Sequence, residues 1–288
     1  MTQSFKLITD STCDLPKDLI AELKLDILDL SCELDGKSYL DSELVPKDFY
    51  AQMRNGAVAK TSQLTPDVAK KLLEPIVKDG NDILYIAFSS GLSGTYHSVV
   101  LASEELMQEY PGRKIIVIDS LSASLGEGLL VLKTIEKMKE GLSIEELADW
   151  VEKTKFHVCH VFTVDDLKYL HRGGRVSTAA TIAGSLLGIK PVLHVDNEGH
   201  LIPISKVRGR KQSLDALLKL MEDGSKGYEN KLITICHGDC INDVEYVEGR
   251  IKQIFGDDTR IIHYYTGPVI GAHSGPGTLA IFYMGEKR

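Results

Sequence analysis

At residues 83–106 the chain reads ILYIAFSSGLSGTYHSVVLASEEL, and this stretch decides the fold. Ile83–Phe88 is a short, uninterrupted apolar run, as is typical of a strand that is buried on both faces. A loop rich in serine and glycine, Ser89–Thr95, follows the run directly. From Ser93 to Leu106 the apolar residues recur at helical spacing. A strand, a loop and a helix in this order form one βα unit of a parallel sheet.

The same alternation continues on the N-terminal side of this unit. Phe5–Thr9 is predicted to be a strand, and Asp10–Asp14 a turn of short polar side chains that caps a following helix. Ile27–Leu34 and Lys37–Leu40 flank Asp35-Gly36, which is a strong signal for a hairpin. The N-terminal part therefore predicts a mainly parallel sheet flanked by helices.

The C-terminal half continues the alternation but adds an antiparallel element. Val192–Asp196 and Leu201–Lys206 are separated by Asn197-Glu198-Gly199, which predicts a hairpin. Two final strands, Arg260–Tyr265 and Thr278–Met284, enclose a glycine-rich loop.

These patterns predict an α/β protein of two domains. We place the N-terminal α/β domain, with its mainly parallel sheet, at residues 1–157. The C-terminal α/β domain, with a mixed or antiparallel sheet, covers residues 158–288, and the boundary is placed to within about ten residues.

The composition excludes several classes of partner. A net charge of −8 over 288 residues rules out a generally basic surface. Nucleic acid and anionic membrane faces are therefore not expected partners, because both bind through clustered Lys and Arg. Met1–Leu7 has no signal-peptide pattern, and no run approaches about 18 apolar residues, the length that would span a membrane. We expect a cytoplasmic protein without a membrane segment.

The cysteines are odd in number and scattered along the chain: Cys13, Cys32, Cys159, Cys236 and Cys240. Cys236 and Cys240 lie close together with His237 between them, a spacing that could suggest a metal. No second Cys/His pair completes the usual ligand set of a structural metal site, so we expect no metal. Free thiols in a reducing compartment fit the pattern better.

The loop Ser89–Thr95 lies where open α/β sheets bind ligands, at the carboxyl end of a strand and the start of a helix. Free N–H groups at a helix start favour an anion. A plain helix cap needs only one serine, whereas this loop holds four hydroxyls and two glycines. It lacks the lysine of a P-loop and the G-x-G-x-x-G pattern. We interpret it as an anion site built from hydroxyls and backbone.

Two further segments carry candidate polar contacts. Lys60–Gln63 is predicted to lie in the loop before a helix that opens at Thr65, where it could equally serve as a cap. Gly267–Gly277 is a loop of small residues that contains one strong hydrogen-bonding side chain, His273. We interpret this loop as shaped around a ligand or a partner, the alternative being a purely structural histidine.

Cations gather in two glycine-containing segments of this acidic chain, His171–Arg175 and Arg208–Arg210. Glycines between arginines leave the guanidinium groups exposed, and arginine suits carboxylate or phosphate groups, including acidic patches on another protein. A salt-bridged loop is the alternative.

Taken together, these segments resemble the DegV family of bacterial fatty-acid-binding proteins over the whole length of the chain. The most specific parts are Lys60–Gln63, Ser90–Thr95, Arg172–Arg175 and the loop around His273, in the family's order. The family often continues the first segment as Pro-Ser, whereas Leu64-Thr65-Pro66 follows here and leaves the hydroxyl positions intact.

The resemblance implies a carrier that catalyses nothing itself and buries one long-chain fatty acid at the junction of the two domains. The residues implied to hold the carboxylate are Thr61, Ser62, Ser93, Gly94, Thr95 and His273. The family's better understood members present the bound acid to a separate fatty acid kinase for entry into phospholipid synthesis. Arg172 and Arg175 would then form the surface for that kinase. The fatty acid is the ligand, and no other cofactor is implied.

The acyl tail would need an apolar tunnel, which would supply most of the affinity. About 14 methylenes at about 0.8 kcal/mol each offer roughly 11 kcal/mol before ordering costs are subtracted. An apolar helix predicted at Thr181–Leu187 could line this tunnel or could equally be ordinary core. The candidate tail-lining residues are Ile182, Ala183, Leu186, Leu187 and Ile189.

Two other classes of function stay open from the residues alone. In the first, an acyl hydrolase or transferase would use Ser93 as nucleophile and His273 as base. Residues 91–95 miss the G-x-S-x-G pattern by one position, however, and no third group that orients His273 can be named. In the second, a phosphosugar- or nucleotide-handling α/β enzyme would bind its phosphate at the loop Ser89–Thr95.

Overall fold

The computed structural model describes residues 5–177, 188–286 and 288 of the chain. Strands and helices alternate along most of this length, as the sequence pattern predicts. The strands are β1 Phe5–Asp10, β2 Asp26–Leu28, β3 Ser31–Leu34, β4 Lys37–Leu40, β5 Ala59–Ser62, β6 Asp82–Ala87, β7 Ile115–Asp119, β8 Val158–Thr163, β9 Ile189–Val195, β10 Leu201–Arg208, β11 Leu232–His237, β12 Arg260–Tyr265 and β13 Leu279–Met284. The helices are α1 Lys17–Leu23, α2 Pro46–Arg54, α3 Pro66–Lys78, α4 Thr95–Glu109, α5 Leu125–Met138, α6 Ile144–Thr154, α7 Lys168–Arg172, α8 Arg210–Gly224, α9 Ile241–Phe255 and α10 Pro268–Ser274.

A four-stranded parallel sheet of order β2-β1-β6-β7 organises the N-terminal half. Its strand β6 is buried along its whole length because helices cover both faces of the sheet. Ile83 and Tyr85 pack in one cluster with α3 and α4, whereas Leu84 and Ile86 pack in another cluster with α5. The doubly buried strand and the parallel sheet predicted from the apolar run are confirmed.

The single strand predicted at Ile27–Leu34 is wrong, because the chain changes sheets inside it. β2 pairs in parallel with β1, whereas β3 pairs antiparallel with β4 and β5 in a separate three-stranded sheet. The backbone of Leu30 explains the break. Its N–H donates to Ser11 Oγ at 3.1 Å and its carbonyl accepts from Asp41 N at 2.8 Å, so neither group is available to a strand ladder.

Lys60–Gln63 is not a simple loop. Residues 59–62 form β5, an edge strand that pairs antiparallel with β3 and places Thr61 opposite Cys32. Ala59 is the one apolar residue among its four, so the sequence carries no alternation signal, and pairing with the backbone of β3 supplies the order instead. The helix α3 then begins as predicted, with the Thr65 hydroxyl accepting from Val68 N at 3.4 Å.

The C-terminal half forms a six-stranded mixed sheet of order β10-β9-β8-β13-β11-β12. Only β11 and β12 among its described pairs run parallel; the other neighbouring pairs are antiparallel. The predicted hairpin is confirmed as β9 and β10. Helices α8 and α9 pack on one face of this sheet, and α5 packs on the other.

The predicted domain boundary near residue 157 falls just before β8. Every described strand pair lies wholly on one side of it, but the apolar packing does not. Leu129 and Leu130 of α5 share one buried cluster with Val158, Phe162 and Phe282 of the mixed sheet. The helix α5 therefore serves as a shared layer between both sheets, and the division into two domains stays a prediction.

Across the described helices we searched for a segment that could cross a bilayer. None in residues 5–177 and 188–286 is both long enough and apolar enough to do so.

Candidate functional site

A cavity of about 500 Å³ lies where the carboxyl end of the parallel sheet meets α10 and the mixed sheet. This volume falls within the usual range for small-molecule sites, roughly 300–1,000 Å³. Most of the wall is apolar, and its larger apolar residues are Leu30, Phe88, Leu92, Phe162, Leu170, Val195, Leu201, Val269, Ile270 and Phe282. Such a wall suits a flexible hydrocarbon ligand.

One end of the cavity is polar, and it contains four of the predicted carboxylate-binding residues. Thr61, Ser62, Ser93 and His273 all line the wall. Thr61 Oγ1 and His273 Nε2 lie 2.7 Å apart, within hydrogen-bond distance. These side chains come from β5, from the loop after β6 and from α10, so only tertiary folding brings them together.

The other two predicted carboxylate residues lie behind the wall. Thr95 is fully buried, and its hydroxyl pairs with Ser93 Oγ at 3.0 Å and accepts from Leu64 N at 3.4 Å. Thr95 therefore orients Ser93. At Gly94 an added Cβ would lie 2.2 Å from Gln63 Oε1, so this glycine makes room for the Gln63 side chain.

His273 is an uncharged hydrogen-bonding group at neutral pH. Burial, followed by the positive charges of Arg175 and Arg172, lowers the pKa of His273 to about 4. A neutral imidazole has one donor and one acceptor nitrogen. Which of the two carries the proton depends on whether Thr61 donates or accepts in their shared hydrogen bond. The imidazole of His273 and the neighbouring hydroxyls of Thr61, Ser62 and Ser93 are therefore all neutral hydrogen-bonding groups.

The geometry disfavours a serine hydrolase at this position. Ser93 pairs with Thr95 and His273 pairs with Thr61, and in the described part of the chain no hydrogen bond joins Ser93 to His273. A nucleophile needs its base within hydrogen-bond reach and a third group that orients the base. Neither relation is present in these contacts.

The hydroxyl loop after β6 is held by contacts from several directions. Ser89 N donates to Ser122 O at 3.0 Å, and Ser89 Oγ donates to Gly199 O at 3.0 Å, which ties the loop to the β9–β10 hairpin. Ser93 N donates to Ser89 O at 3.1 Å and closes a tight turn. At Gly91 an added Cβ would lie 2.7 Å from Glu198 O, so the hairpin can approach only because this residue is glycine.

The segment Asp10–Asp14, predicted as a helix cap, supports the loop from beneath. Asp10 accepts from Phe88 N at 3.0 Å and from Tyr85 OH at 3.1 Å, at the end of β6. Burial raises the pKa of Asp10, and burial and the charge of Asp10 raise that of Glu127 well above its usual value. Glu127 in turn accepts from Thr9 Oγ1 at 2.7 Å. These buried carboxyl groups were missed because the sequence shows no sign of their burial.

The prediction of a glycine-rich loop around His273 is wrong in part, because Pro268–Ser274 forms the short helix α10. Pro268 sits at its first position, where a proline is tolerated. The carboxylate of Asp41 accepts from Val269 N at 2.9 Å, and Tyr50 OH donates to the carbonyl of Thr266 at 2.8 Å. These two buried side chains set the position of the helix that carries His273.

Asp41 also makes stability depend on pH. Burial raises its pKa from 3.8 to about 7. A carboxyl group with a higher pKa in the folded state contributes stability at low pH, and that contribution is lost as the pH rises through this window. We expect the free energy of unfolding to fall as the pH rises from 3.8 to about 7. Asp41→Asn should reduce this fall, because an amide does not titrate. Urea unfolding at a series of pH values measures this, and an equal slope in the variant would contradict it.

Arg172 and Arg175 lie in different environments. Arg172 is exposed, with its guanidinium carbon 5.4 Å from the ring centroid of Tyr169. Arg175 is half-buried and lines the cavity, and its Nε and Nη2 donate to the carbonyl oxygen of Leu92 at 3.0 and 2.8 Å. Arg175 therefore clamps the residue that precedes Ser93. The kinase-surface roles of Arg172 and Arg175 stay predictions.

Gly173 offers a way to disturb the cavity without removing a polar group. An added Cβ there would lie 2.1 Å from His273 Nδ1, although the backbone of this residue is in the ordinary helical region. We expect Gly173→Ala to displace the imidazole from Thr61 and to weaken ligand binding by about tenfold, the value of one hydrogen bond. Titration calorimetry with palmitate as a probe measures the change.

Gly249→Ala is the matched control for this substitution. An added Cβ at Gly249, within α9, meets nothing within 4 Å. We expect binding to be unchanged and the free energy of unfolding to rise by about 0.5–1 kcal/mol, because alanine favours a helix over glycine. Equal binding losses in Gly173→Ala and Gly249→Ala would contradict the role assigned to Gly173.

The predicted tail-lining residues fall largely outside the described residues. Ile182, Ala183, Leu186 and Leu187 lie in residues 178–187, of which the structure describes nothing. Ile189 begins β9 and is not among the described residues of the cavity wall. The described apolar wall comes partly from the mixed sheet, through Phe162, Val195, Leu201 and Phe282, and partly from α7, α10 and loops of the N-terminal half.

Ser124 is a cavity residue that the sequence patterns above did not identify. It lines the wall, its hydroxyl donates to Asp14 Oδ2, and its backbone has φ 54° and ψ −145°, a conformation that is uncommon outside glycine. A detectable signal existed. Residues 120–124 form a serine-rich loop directly after the buried strand β7, which is the pattern that identified Ser89–Thr95.

A search of the described residues for metal-binding groups found no cluster of three or more His, Cys, Asp or Glu residues that could hold an ion. Cys236 is buried and Cys240 half-buried, and both thiols are free. Burial raises the pKa of each to about 12, so neither is a thiolate at neutral pH.

Comparison with known proteins identifies relatives along the whole chain. Residues 4–286 match a family described as uncharacterised proteins of the DegV family. A DegV domain-containing protein of Clostridium perfringens is 43% identical over 289 residues, covering 99% of both chains. A second, from Lactococcus lactis, is 34% identical over the same share.

Solved structures share the fold. A DegV family protein from Thermus thermophilus, described by its fatty acid binding, has a TM-score of 0.86 and 31% identity and covers 98% of this chain and 99% of its own. A Thermotoga maritima protein described as revealing a fatty acid binding function has a TM-score of 0.82 and 31% identity, with the same coverage. A Bacillus subtilis DegV described as a fatty acid binding protein has a TM-score of 0.85 and 29% identity, covering 99% of this chain and all of its own (100%). The α/β fold with its parallel and mixed sheets is therefore that of these structures.

Proposed function

The chain belongs to the DegV family, and on that premise we propose that it binds one long-chain fatty acid in the cavity between the parallel sheet and the mixed sheet. The proposal is supported by the combination of a long apolar wall with one polar end. Its three structural relatives above are each described as fatty acid binders.

The polar end would hold the carboxylate through neutral donors. Ser93 Oγ and Thr61 Oγ1 can each donate to a carboxylate oxygen, with His273 as a third polar group in the same wall. Charge-assisted hydrogen bonds of this kind are stronger than neutral ones. Arg175 adds a positive charge to the wall, which favours an anion over a neutral lipid.

The tail would supply most of the affinity. Each buried methylene offers about 0.8 kcal/mol, and the apolar residues of the mixed sheet provide the surface against which the chain packs. The polar end would set the orientation of the acid, and each hydrogen bond to the carboxylate would add about 1.5–3 kcal/mol, less than the tail supplies in total.

Native mass spectrometry of protein purified from cells tests this function. We expect a co-purifying mass of one long acyl chain, and after removal of lipid we expect uptake of added palmitate or oleate at one site per chain. Protein that carries no acyl chain and takes up neither acid would overturn the proposal.

A carrier role would involve a partner, and we propose a separate fatty acid kinase. The observation that favours a partner surface is the exposed guanidinium of Arg172, close in sequence to the clamp residue Arg175. We expect Arg172→Ala to leave the bound acid in place while lowering the rate of its phosphorylation by such a kinase by about tenfold, because a surface ion pair contributes mainly to association.

The control for this variant is Arg260→Ala. Arg260 is exposed and is the first residue of β12, at the end of that strand opposite α10, so its loss should leave phosphorylation unaffected. If Arg172→Ala lost the bound acid, Arg172 would belong to the ligand site and its assignment to the partner surface would be wrong.

A further inference from the structure

A second group of polar side chains lines the cavity away from its carboxylate end. This interior polar cluster consists of Ser124, Cys236 and Thr266, which come from the loop after β7, from β11 and from the residue that follows β12. The hydroxyls of Ser124 and Thr266 both lie beside the Cys236 thiol and lower its pKa, against the larger opposite effect of burial. None of the three contributes to the polar end formed by Thr61, Ser93 and His273.

The backbone around Thr266 fixes the position of its side chain. Its N–H donates to His237 O at 2.8 Å and its carbonyl accepts from Tyr50 OH at 2.8 Å. The side chain is fully buried, yet Oγ1 has no hydrogen bond of normal geometry within the part of the chain that the structure describes. The neighbouring thiol is only a weak partner.

A second wall hydroxyl is in the same situation. Ser274, at the end of α10, is buried and lines the cavity, and its Oγ likewise has no partner among the described residues. Burying a hydroxyl against hydrocarbon without a hydrogen bond is unfavourable, so such groups in a ligand cavity point to a polar atom on the ligand.

The fold also sets how far the cluster lies from the carboxylate. Thr266 lies two residues before α10, which begins at Pro268, and His273 lies in the last turn of that helix. Five helical steps and the two non-helical steps through the extended residue Gly267 separate the two backbone positions by roughly 8–14 Å. Measured from the carboxylate, the interior polar cluster therefore meets the middle of a long acyl chain.

We propose that the cavity is adapted to a long-chain fatty acid that bears a hydroxyl group near the middle of its chain, and that Thr266 hydrogen-bonds this group. A hydroxyl can both donate and accept, and so can Thr266 Oγ1, whereas a plain methylene can do neither. This inference rests on the proposed fatty acid binding and names the kind of acid that fits best.

Competition binding to lipid-free protein tests the inference with three ligands: stearate, stearate hydroxylated at mid-chain, and stearate hydroxylated at its terminal carbon. The two hydroxylated isomers have the same composition and differ only in where the hydroxyl lies, so the ratio of their dissociation constants reports on its position. We expect the mid-chain isomer to bind about fivefold more tightly than the terminal isomer. Equal dissociation constants for the two isomers would overturn the inference, whereas failure of stearate itself to bind would overturn the proposed function.

Substitutions at Thr266 assign the preference to this residue. We expect Thr266→Val, which keeps the shape and removes the hydroxyl, to bring the isomer ratio to one, and Thr266→Ser to keep it above one. Thr154→Val, at the end of α6 and outside the cavity wall, is the control and should keep the ratio of the unsubstituted protein. An unchanged ratio in folded Thr266→Val would overturn the assignment, and the ratio in the unsubstituted protein decides the inference even where the variant does not fold.

Discussion

Replacing Thr61 with valine and Ser93 with alanine together should lower the affinity for palmitate by about 100-fold. A hydrogen bond to a charged group contributes about 1.5–3 kcal/mol, and the double variant removes two donors from a buried carboxylate. The losses should add incompletely, because Thr61 also contacts His273 and Ser93 also contacts Thr95. Titration calorimetry on lipid-free protein measures the affinity.

The two single variants and a remote pair complete this experiment. Ser93→Ala and Thr61→Val should each weaken binding by about tenfold, which separates the two donors. Ser205→Ala with Thr154→Val, on the exposed strand β10 and at the end of α6, is the matched control and should bind palmitate normally. A double variant that keeps the affinity of the control pair would show that these hydroxyls do not hold the carboxylate.

Filling the apolar part of the cavity should have an effect of similar size on long acids only. Ala280 lies on β13 between Phe162 and Cys236, is buried and lines the wall. Ala280→Phe would place a ring where the tail runs and displace several methylenes. Four displaced methylenes at about 0.8 kcal/mol each correspond to about 200-fold weaker binding of stearate. Decanoate, which reaches less far, should lose much less.

Ala280→Val is the graded control for this substitution, since it adds two carbons at the same position and should produce an intermediate loss for stearate. Thermal unfolding checks that both variants stay folded, because overpacking a filled core would destabilise it whereas filling a cavity does not. Equal losses for stearate and decanoate would mean that the tail does not run past β13.

Both halves of the chain contribute residues to the cavity wall and to the contacts that hold the loop after β6. The hydroxyl loop after β6 is held by the β9–β10 hairpin through Ser89 and Gly199 and by Arg175 through Leu92. The loop that carries the proposed carboxylate donor Ser93 is thus positioned by contacts from the C-terminal half. A partner that displaced Arg175 would loosen the loop that carries Ser93, which links the proposed partner surface to the ligand by one side chain.

Local patterns in the sequence determined the elements of this protein. The apolar run Ile83–Phe88 predicted a doubly covered strand, and Asp35-Gly36 and residues 197–199 predicted the two hairpins. Ser93 and His273 stood out because many small or hydroxyl-bearing residues surround them. Each of these signals depends on residues close together in the chain, where side-chain periodicity and turn chemistry act.

Tertiary structure alone decided what these elements form together. Residues 59–62 form a strand only because β3 offers its edge. The strand predicted through Leu30 is broken because Ser11 and Asp41 take the backbone groups of that residue. Likewise, only the tertiary structure places the buried carboxylate of Asp41 where it accepts a hydrogen bond from Val269 N and positions α10. A cavity is the space left between distant segments, and no local pattern encodes the contacts that enclose it.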